Sequence, residues 1–211
     1  MDAEFFRAWI ARITDAVEAQ RDHLTQLDAA IGDADHGTNL ARGFTAVRAA
    51  LAEAETPTPG AVLLLTGSTL ISKVGGASGP LYGTAFRRAA RALGDKPDID
   101  LTGLAEALEA ALAGVKKLGA ASEGEKTMVD ALAPAVTAFS KAVSDGTAAP
   151  GAMAALTEAA DAGAQATISM QARKGRASYL GPRSVGHEDP GAASTALILH
   201  ALRDVAVRHI R

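Results

Sequence analysis

Apolar residues recur at intervals of three and four along almost the whole chain, the period of helices with one buried face. Phe5, Phe6, Trp9, Ile10, Ile13 and Val17 share one such face, and Leu101, Leu104, Ala105, Leu108, Leu112 and Val115 share another. No run shows the alternation of apolar and polar positions, rich in β-branched residues, that marks a strand. Proline, glycine and polar clusters cut the pattern into about eight helices, at roughly 3–25, 37–54, 60–73, 80–94, 101–118, 126–144, 150–171 and 191–209. No shift in composition marks a boundary, so residues 1–211 read as one all-α domain.

The connections between these helices are of two kinds, and they alternate. The second, fourth and sixth (55–60, 94–98 and 145–150) are polar stops followed by a helix start near Pro or Gly. The first, third, fifth and seventh carry chemistry: an aspartate cluster at 28–39, Gly75-Gly76-Ala77-Ser78-Gly79-Pro80, residues 119–128, and residues 173–191. In an up-and-down bundle with short connections, successive loops fall at opposite ends. The helix count therefore sends all four chemical loops to one rim and the three plain ones to the other.

Composition narrows the reading. Apolar residues make up 48% of the chain, enough for a sizeable core, and the abundant alanine favours helix and close helix contact. A net charge of -3 argues against a nucleic-acid binder or an anionic-membrane binder, either of which would carry a basic surface. The absence of cysteine excludes disulfides and thiolate metal sites. Met1-Asp2-Ala3-Glu4 lacks the basic and apolar regions of a signal peptide. No apolar run approaches the roughly 20 residues needed to span a bilayer. A soluble, cytoplasmic protein is expected.

Asp28, Asp33 and Asp35 fall within eight residues. Clustered carboxylates repel one another unless a cation neutralises them. Oxygen donors suit a hard ion, Mg²⁺ or Ca²⁺, and in an irregular loop the three can point at one centre, about 2.0–2.1 Å from each oxygen for Mg²⁺. The plainer alternative makes Asp28 or Asp35 a helix cap and the rest a solvated turn. His36 and Asn39, at the start of the second helix, fit a nucleotide contact or a local hydrogen bond equally. The glycines of the third loop let backbone N–H groups approach a phosphate, and Ser78 adds a donor. This is no Walker A loop, because no strand precedes it and no Gly-Lys-Ser/Thr follows; a flexible connection at a tight helix crossing is the alternative. Lys126 and Thr127 suit phosphate and Met128 the flank of a base, against a solvated lysine and a core methionine. Arg173, Lys174, Arg176 and Arg183 bring cations to the acidic end, where arginine suits a transferring phosphoryl group; a basic surface patch or nucleic-acid loop is the alternative. Asp189-Pro190-Gly191 opens the last helix, with Asp189 a cap or a ligand.

Four stretches carry these residues in order: Ile31-Gly32-Asp33-Ala34-Asp35-His36-Gly37, Val74-Gly75-Gly76-Ala77-Ser78-Gly79-Pro80-Leu81-Tyr82-Gly83-Thr84, Lys126-Thr127-Met128-Val129-Asp130, and Met170 through Gly181. Gly186-His187 and Asp189-Pro190-Gly191-Ala192 complete them. Together they resemble the nucleotide-binding part of dihydroxyacetone kinases, both the ADP-binding L subunit of the phosphotransferase-system type and the C-terminal domain of single-chain kinases. The resemblance implies an eight-helix antiparallel up-and-down barrel with a nucleotide site at one rim. It implies that Asp28, Asp33 and Asp35 hold two Mg²⁺ ions bridging the phosphates of ADP or ATP. It implies nucleotide contacts from His36, Gly37, Thr38, Asn39, Ala77, Ser78, Gly119, Met128, Arg176, Asp189, Pro190 and Gly191, with Arg176 also neutralising the group in flight.

The family usually reads Gly-Asp-Lys-Thr-Met where this chain has Gly124-Glu125-Lys126-Thr127-Met128, which keeps the charge and lengthens the side chain. In the family, dihydroxyacetone is held covalently by a histidine of a separate K subunit or domain, so this chain is expected to be inactive alone. In the phosphotransferase version a phosphohistidine-bearing M subunit recharges bound ADP; in the other, ATP exchanges freely. A regulatory nucleotide sensor, a kinase subunit for another short ketose, and a helical scaffold with a Ca²⁺ site are the competing readings. The Ala-rich helix faces leave a homodimer open, and no residue stands out as a general base, His36 included.

Overall fold

The structure, a computed structural model, describes residues 1–209. Asp2 caps α1 (Ala3–Ala19) by accepting a hydrogen bond from the Phe5 N–H at 2.9 Å. After the single residue Gln20 comes α2 (Arg21–Ile31), followed by α3 (His36–Glu53), α4 (Pro59–Lys73) and α5 (Ser78–Leu93). Then follow α6 (Leu101–Gly119), α7 (Val129–Ser144), α8 (Ala149–Ala166) and α9 (Pro190–His209). Two 3₁₀ segments, Thr167–Ser169 and Arg176–Ser184, lie between α8 and α9. Among the described residues there is no strand. Ile210 and Arg211, the end of the expected domain, lie outside the described residues.

The expected first helix, 3–25, is in fact two helices reaching Ile31. The apolar period runs through Gln20 unbroken, Val17 and Leu24 being two turns apart and both buried, so nothing in the pattern marks the bend. Both α1 and α2 pack on α3 and α9. The chain thus bends without reversing, and the alternation of loops between the two ends survives the extra helix.

Three other boundaries differ. Helix α7 opens at Val129, not 126, because Lys126 has a φ of 62°, outside the helical region. Helix α8 stops at Ala166, and the rest of the expected 150–171 helix tightens into a 3₁₀ turn. The loop expected over 173–191 contains a 3₁₀ run interrupted at Gly181.

Each helix from α3 to α9 packs against the next, and α9 packs back against α1. Phe6, Trp9, Phe86 and Phe44 form a chain of tilted and edge-on rings with centroids 6.0, 5.7 and 6.2 Å apart, joining α1, α3 and α5. The half around α7, α8 and α9 is filled mostly by small residues with Phe139, Met153 and Leu156 among them. Small side chains let these helices approach closely, which holds their ends, and the loops between them, in fixed relation.

Candidate functional site

Asp28 does not sit in a loop. It occupies the last turn of α2, in phase with Leu24 and Ile31, at a place on the buried face where the helical pattern calls for an apolar residue. It is 8% exposed. Its Oδ2 accepts from the backbone N–H of Asp35 at 2.8 Å and of His36 at 3.1 Å. Asp28 therefore caps α3 from the preceding helix, and Asp35, which stands at the usual capping position, makes no cap bond and is free for other work. Ala34 adopts a left-handed conformation (φ 61°), folding the chain sharply between Asp33 and Asp35.

The outcome is three carboxylates offering one oxygen each, all within 4.8 Å of one another. Arg176, from the far side of the chain, reaches Asp33 at 3.0 Å. One cation against three carboxylates leaves the cluster acidic, and an all-oxygen donor set of this charge suits a divalent hard ion.

These residues open onto a cavity of about 290 Å³ to which each of the four chemical loops contributes: Asp28, Asp33 and Asp35; Gly75 to Ser78; Gly119 and Lys126 to Met128; and Lys174 to Ala177 with Asp189 to Gly191. A larger hollow of about 660 Å³, lined by Arg87, Arg88 and Arg91 of α5, holds none of these residues. Size alone picks the wrong one; the cavity with convergent polar groups is the candidate.

His36 is buried beneath this cavity. Its Nδ1 is 3.1 Å from the Ser78 Oγ and its Nε2 is 2.8 Å from the Ser194 Oγ. Burial pushes its pKa below the ordinary value, against the pull of Asp28, Asp35 and the Pro190 backbone, which favours the neutral ring. Ser194 in turn lies 2.7 Å from the Tyr82 hydroxyl, which is also 2.9 Å from the Thr195 Oγ1. Burial raises the Tyr82 pKa to about 12, so it keeps its proton. The role of Tyr82, Ser194 and Thr195 was missed in the sequence. The only signal was the spacing of Ser78 and Tyr82, one turn apart on a helix opening at Ser78.

The fifth loop is built differently from expectation. Lys126 is 1% exposed and spends its ammonium on the backbone carbonyls of Thr167, at 2.5 Å, and of His187. It ties the fifth loop to the segments before α9 instead of standing in solvent. Asp130 accepts from the N–H of Gly124 and, at 2.7 Å, of Thr127, which closes the turn into α7. Glu125 faces away from the cavity: its carboxylate takes the Ser122 N–H at 2.7 Å and lies 3.9 Å from the Lys174 ammonium.

Asp189 caps α9 through the Ala192 N–H at 2.8 Å. Its carboxyl pKa is pushed up to about 7, by burial first, against the favourable Ala192 hydrogen bond and the Lys126 charge.

Of the residues implied as nucleotide contacts, His36, Ala77, Ser78, Gly119, Met128, Arg176, Asp189, Pro190 and Gly191 line the cavity, whereas Gly37, Thr38 and Asn39 do not. Gly37 is pressed against α2, with the Arg21 carbonyl where a Cβ would stand. Thr38 is exposed, and Asn39 is buried and accepts from Arg42 at 2.7 Å.

The chain is 44% identical over 194 residues to the ADP-binding subunit of the PEP-dependent dihydroxyacetone kinase of Escherichia coli (strain K12), covering 92% of each. It is 42% identical over 207 residues, 98% of each chain, to the corresponding subunit of kinase 1 of Listeria innocua serovar 6a. The crystal structure of the dihydroxyacetone kinase from C. freundii in complex with AMP-PNP and Mg²⁺ superposes with a TM-score of 0.73 at 28% identity. That match covers 97% of this chain and 34% of the C. freundii chain, so the protein spans about a third of that kinase. Residues 30–204 match the family model described as the DAK2 domain, which takes in every residue lining the cavity except Asp28, and the chain belongs to that family.

Proposed function

We propose that the chain is the ADP-binding subunit of a dihydroxyacetone kinase. It would carry a phosphoryl group from a Mg²⁺-bound nucleotide to dihydroxyacetone held by a partner K subunit, with an M subunit recharging the bound ADP. The observation that carries this reading is the meeting of three carboxylates, Ser78 and Arg176, from separate loops, around one cavity in a chain so close to named ADP-binding subunits.

Asp28, Asp33 and Asp35 are the residues that would hold the metal, and we assign two ions to them. Bound Mg²⁺ spreads the charge of the β- and γ-phosphates. Asp28 is fixed by the two N–H groups it accepts, so its position is set before any ligand arrives. Ser78, at the start of α5, offers its hydroxyl and the unpaired N–H groups of a helix N-terminus to phosphate. Arg176 is mostly exposed and, among the described residues, pairs with Asp33 alone. With Asp33 engaged by a cation, the Arg176 guanidinium would be free to meet phosphate oxygens, where a planar cation supports phosphoryl transfer.

Titration calorimetry tests the first half. ADP binding is expected to need Mg²⁺ and to weaken by about 2–5 kcal/mol in Asp33→Ala, because the remaining carboxylates lose their cation. Binding indifferent to both would refute the site. The second half is tested by triose phosphate formation with purified K and M subunits from E. coli: product that depends on this chain supports the kinase reading, and its absence favours a nucleotide sensor.

A further inference from the structure

Resting on that nucleotide reading, we infer that Tyr82, with Ser194 and Thr195, is a positioning residue that turns the Ser78 hydroxyl toward the nucleotide phosphate. The inference comes from the hydrogen-bond arithmetic beneath the cavity. Five groups lie in one chain: Ser78 Oγ, the His36 ring, Ser194 Oγ, Tyr82 hydroxyl and Thr195 Oγ1, at successive distances of 3.1, 2.8, 2.7 and 2.9 Å. The inner end rests on the Gly191 carbonyl, 2.8 Å from Thr195. The outer end, Ser78, is in the wall of the cavity.

Each hydroxyl has one proton and the neutral imidazole has one. Two complete arrangements follow. In the inward one, Ser78 donates to Nδ1, Nε2–H donates to Ser194, Ser194 to Tyr82, Tyr82 to Thr195, and Thr195 to the Gly191 carbonyl. No proton is left over, and Ser78 has nothing to give the cavity. In the outward one, Thr195 donates to Tyr82, Tyr82 to Ser194, Ser194 to Nε2, and Nδ1–H to Ser78, whose own proton then points into the cavity. The Gly191 carbonyl takes the Thr195 proton in the inward arrangement only, and it lies 3.1 Å from the Tyr82 hydroxyl as well. The imidazole carries one proton in each arrangement, on Nε2 in the inward one and on Nδ1 in the outward one; Nε2 faces the fully buried Ser194, so the exchange requires the ring to swing out to cavity water, and the net charge is unchanged.

An anionic oxygen beside Ser78 selects the outward arrangement. Tyr82 matters because it is the one group that can supply a proton to the Ser194 oxygen once Ser194 has turned to His36. With phenylalanine there, the buried Ser194 oxygen would lack a donor in the outward state alone, since in the inward state Ser194 turns to the Gly191 carbonyl at 3.2 Å. The loss therefore falls on the state that binds phosphate.

Two measurements test this. Histidine-ring ¹⁵N spectra of the wild-type chain read the His36 tautomer directly: Nε2–H without ligand and Nδ1–H with Mg·ADP are expected. This readout needs no variant to fold. Calorimetry of Tyr82→Phe is expected to show Mg·ADP binding weakened about five- to tenfold, and no further weakening when the same change is made in Ser78→Ala. A merely structural tyrosine would leave the tautomer change intact and give additive losses. Binding of Mg·ADP with an unchanged His36 tautomer, or with additive variants, overturns the relay and leaves the nucleotide reading standing. No binding by the wild-type chain overturns both.

Discussion

Two buried ionisable residues show how single side chains tie the site to the fold. Lys126 holds the carbonyl of the fully buried Thr167 and that of His187, where the bond is partly buried. Lys126→Met keeps the volume and strands two acceptors; a loss of about 3 kcal/mol is expected in denaturant unfolding, with earlier proteolysis within 173–191. Asp189 gives a pH signature. Its folded carboxyl keeps a proton up to about pH 7, whereas the unfolded chain releases it near 3.8. Well below pH 4 both states are protonated and the group is neutral to stability. As pH rises from about 4 to 7 only the unfolded state sheds the proton, so the native state loses ground, and above 7 the loss levels off. At about 1.4 kcal/mol per pKa unit the ceiling is roughly 4 kcal/mol. Asp189→Asn keeps a good helix cap and removes the titration. Unfolding midpoints measured across that window should rise for the variant relative to wild type; parallel curves would show that Asp189 is ionised in the native state.

At the level of elements, the α2–α3 corner decides where the carboxylates stand. Gly37 is pressed so closely on α2 that an added Cβ would lie 2.0 Å from the Arg21 carbonyl, a backbone atom that cannot turn aside. Gly37→Ala must push α2 off α3, which moves Asp28 relative to Asp33 and Asp35. About 1–3 kcal/mol of stability is expected to go, as for other overpacked contacts, together with Mg²⁺-dependent ADP affinity. Affinity lost without any change in unfolding midpoint would instead mean that Gly37 touches the nucleotide. The same corner shows what the sequence could and could not tell. Its apolar period announced a helix into the twenties, and the loop chemistry announced carboxylates, but Asp28 was misplaced. A carboxylate on the buried face of a helix breaks the pattern by which such faces are recognised, and only its function as a cap and candidate ligand accounts for it. The hydroxyl groups of Ser194 and Thr195 escaped notice for a related reason. Small polar residues inside an Ala-rich helix look like ordinary fill until a partner such as Tyr82 arrives from elsewhere in the chain.

Across the whole molecule, the gathering of four distant loops at one cavity was legible because it depends on parity, and a bend at Gln20 does not alter parity. On the proposed function, chemistry and docking would share one end. Beside Arg176, on the 3₁₀ run Arg176–Ser184, Tyr179 is 89% exposed. Leaving a tyrosine that bare gains nothing for the isolated chain, whereas tyrosine is among the residues that dominate interface energies when covered. An acceptor held on another subunit must approach the phosphate from outside, past this rim. Tyr179→Ala is therefore expected to leave the unfolding midpoint and Mg·ADP affinity within error of wild type, since the ring touches neither core nor cavity. It should weaken the complex with the K subunit by 2 kcal/mol or more, roughly thirtyfold, as interface anchors do. Sedimentation or calorimetry with purified E. coli K subunit reads both numbers. An unchanged complex would place the partner elsewhere on the surface, and the transfer step would then need a different approach to the cavity.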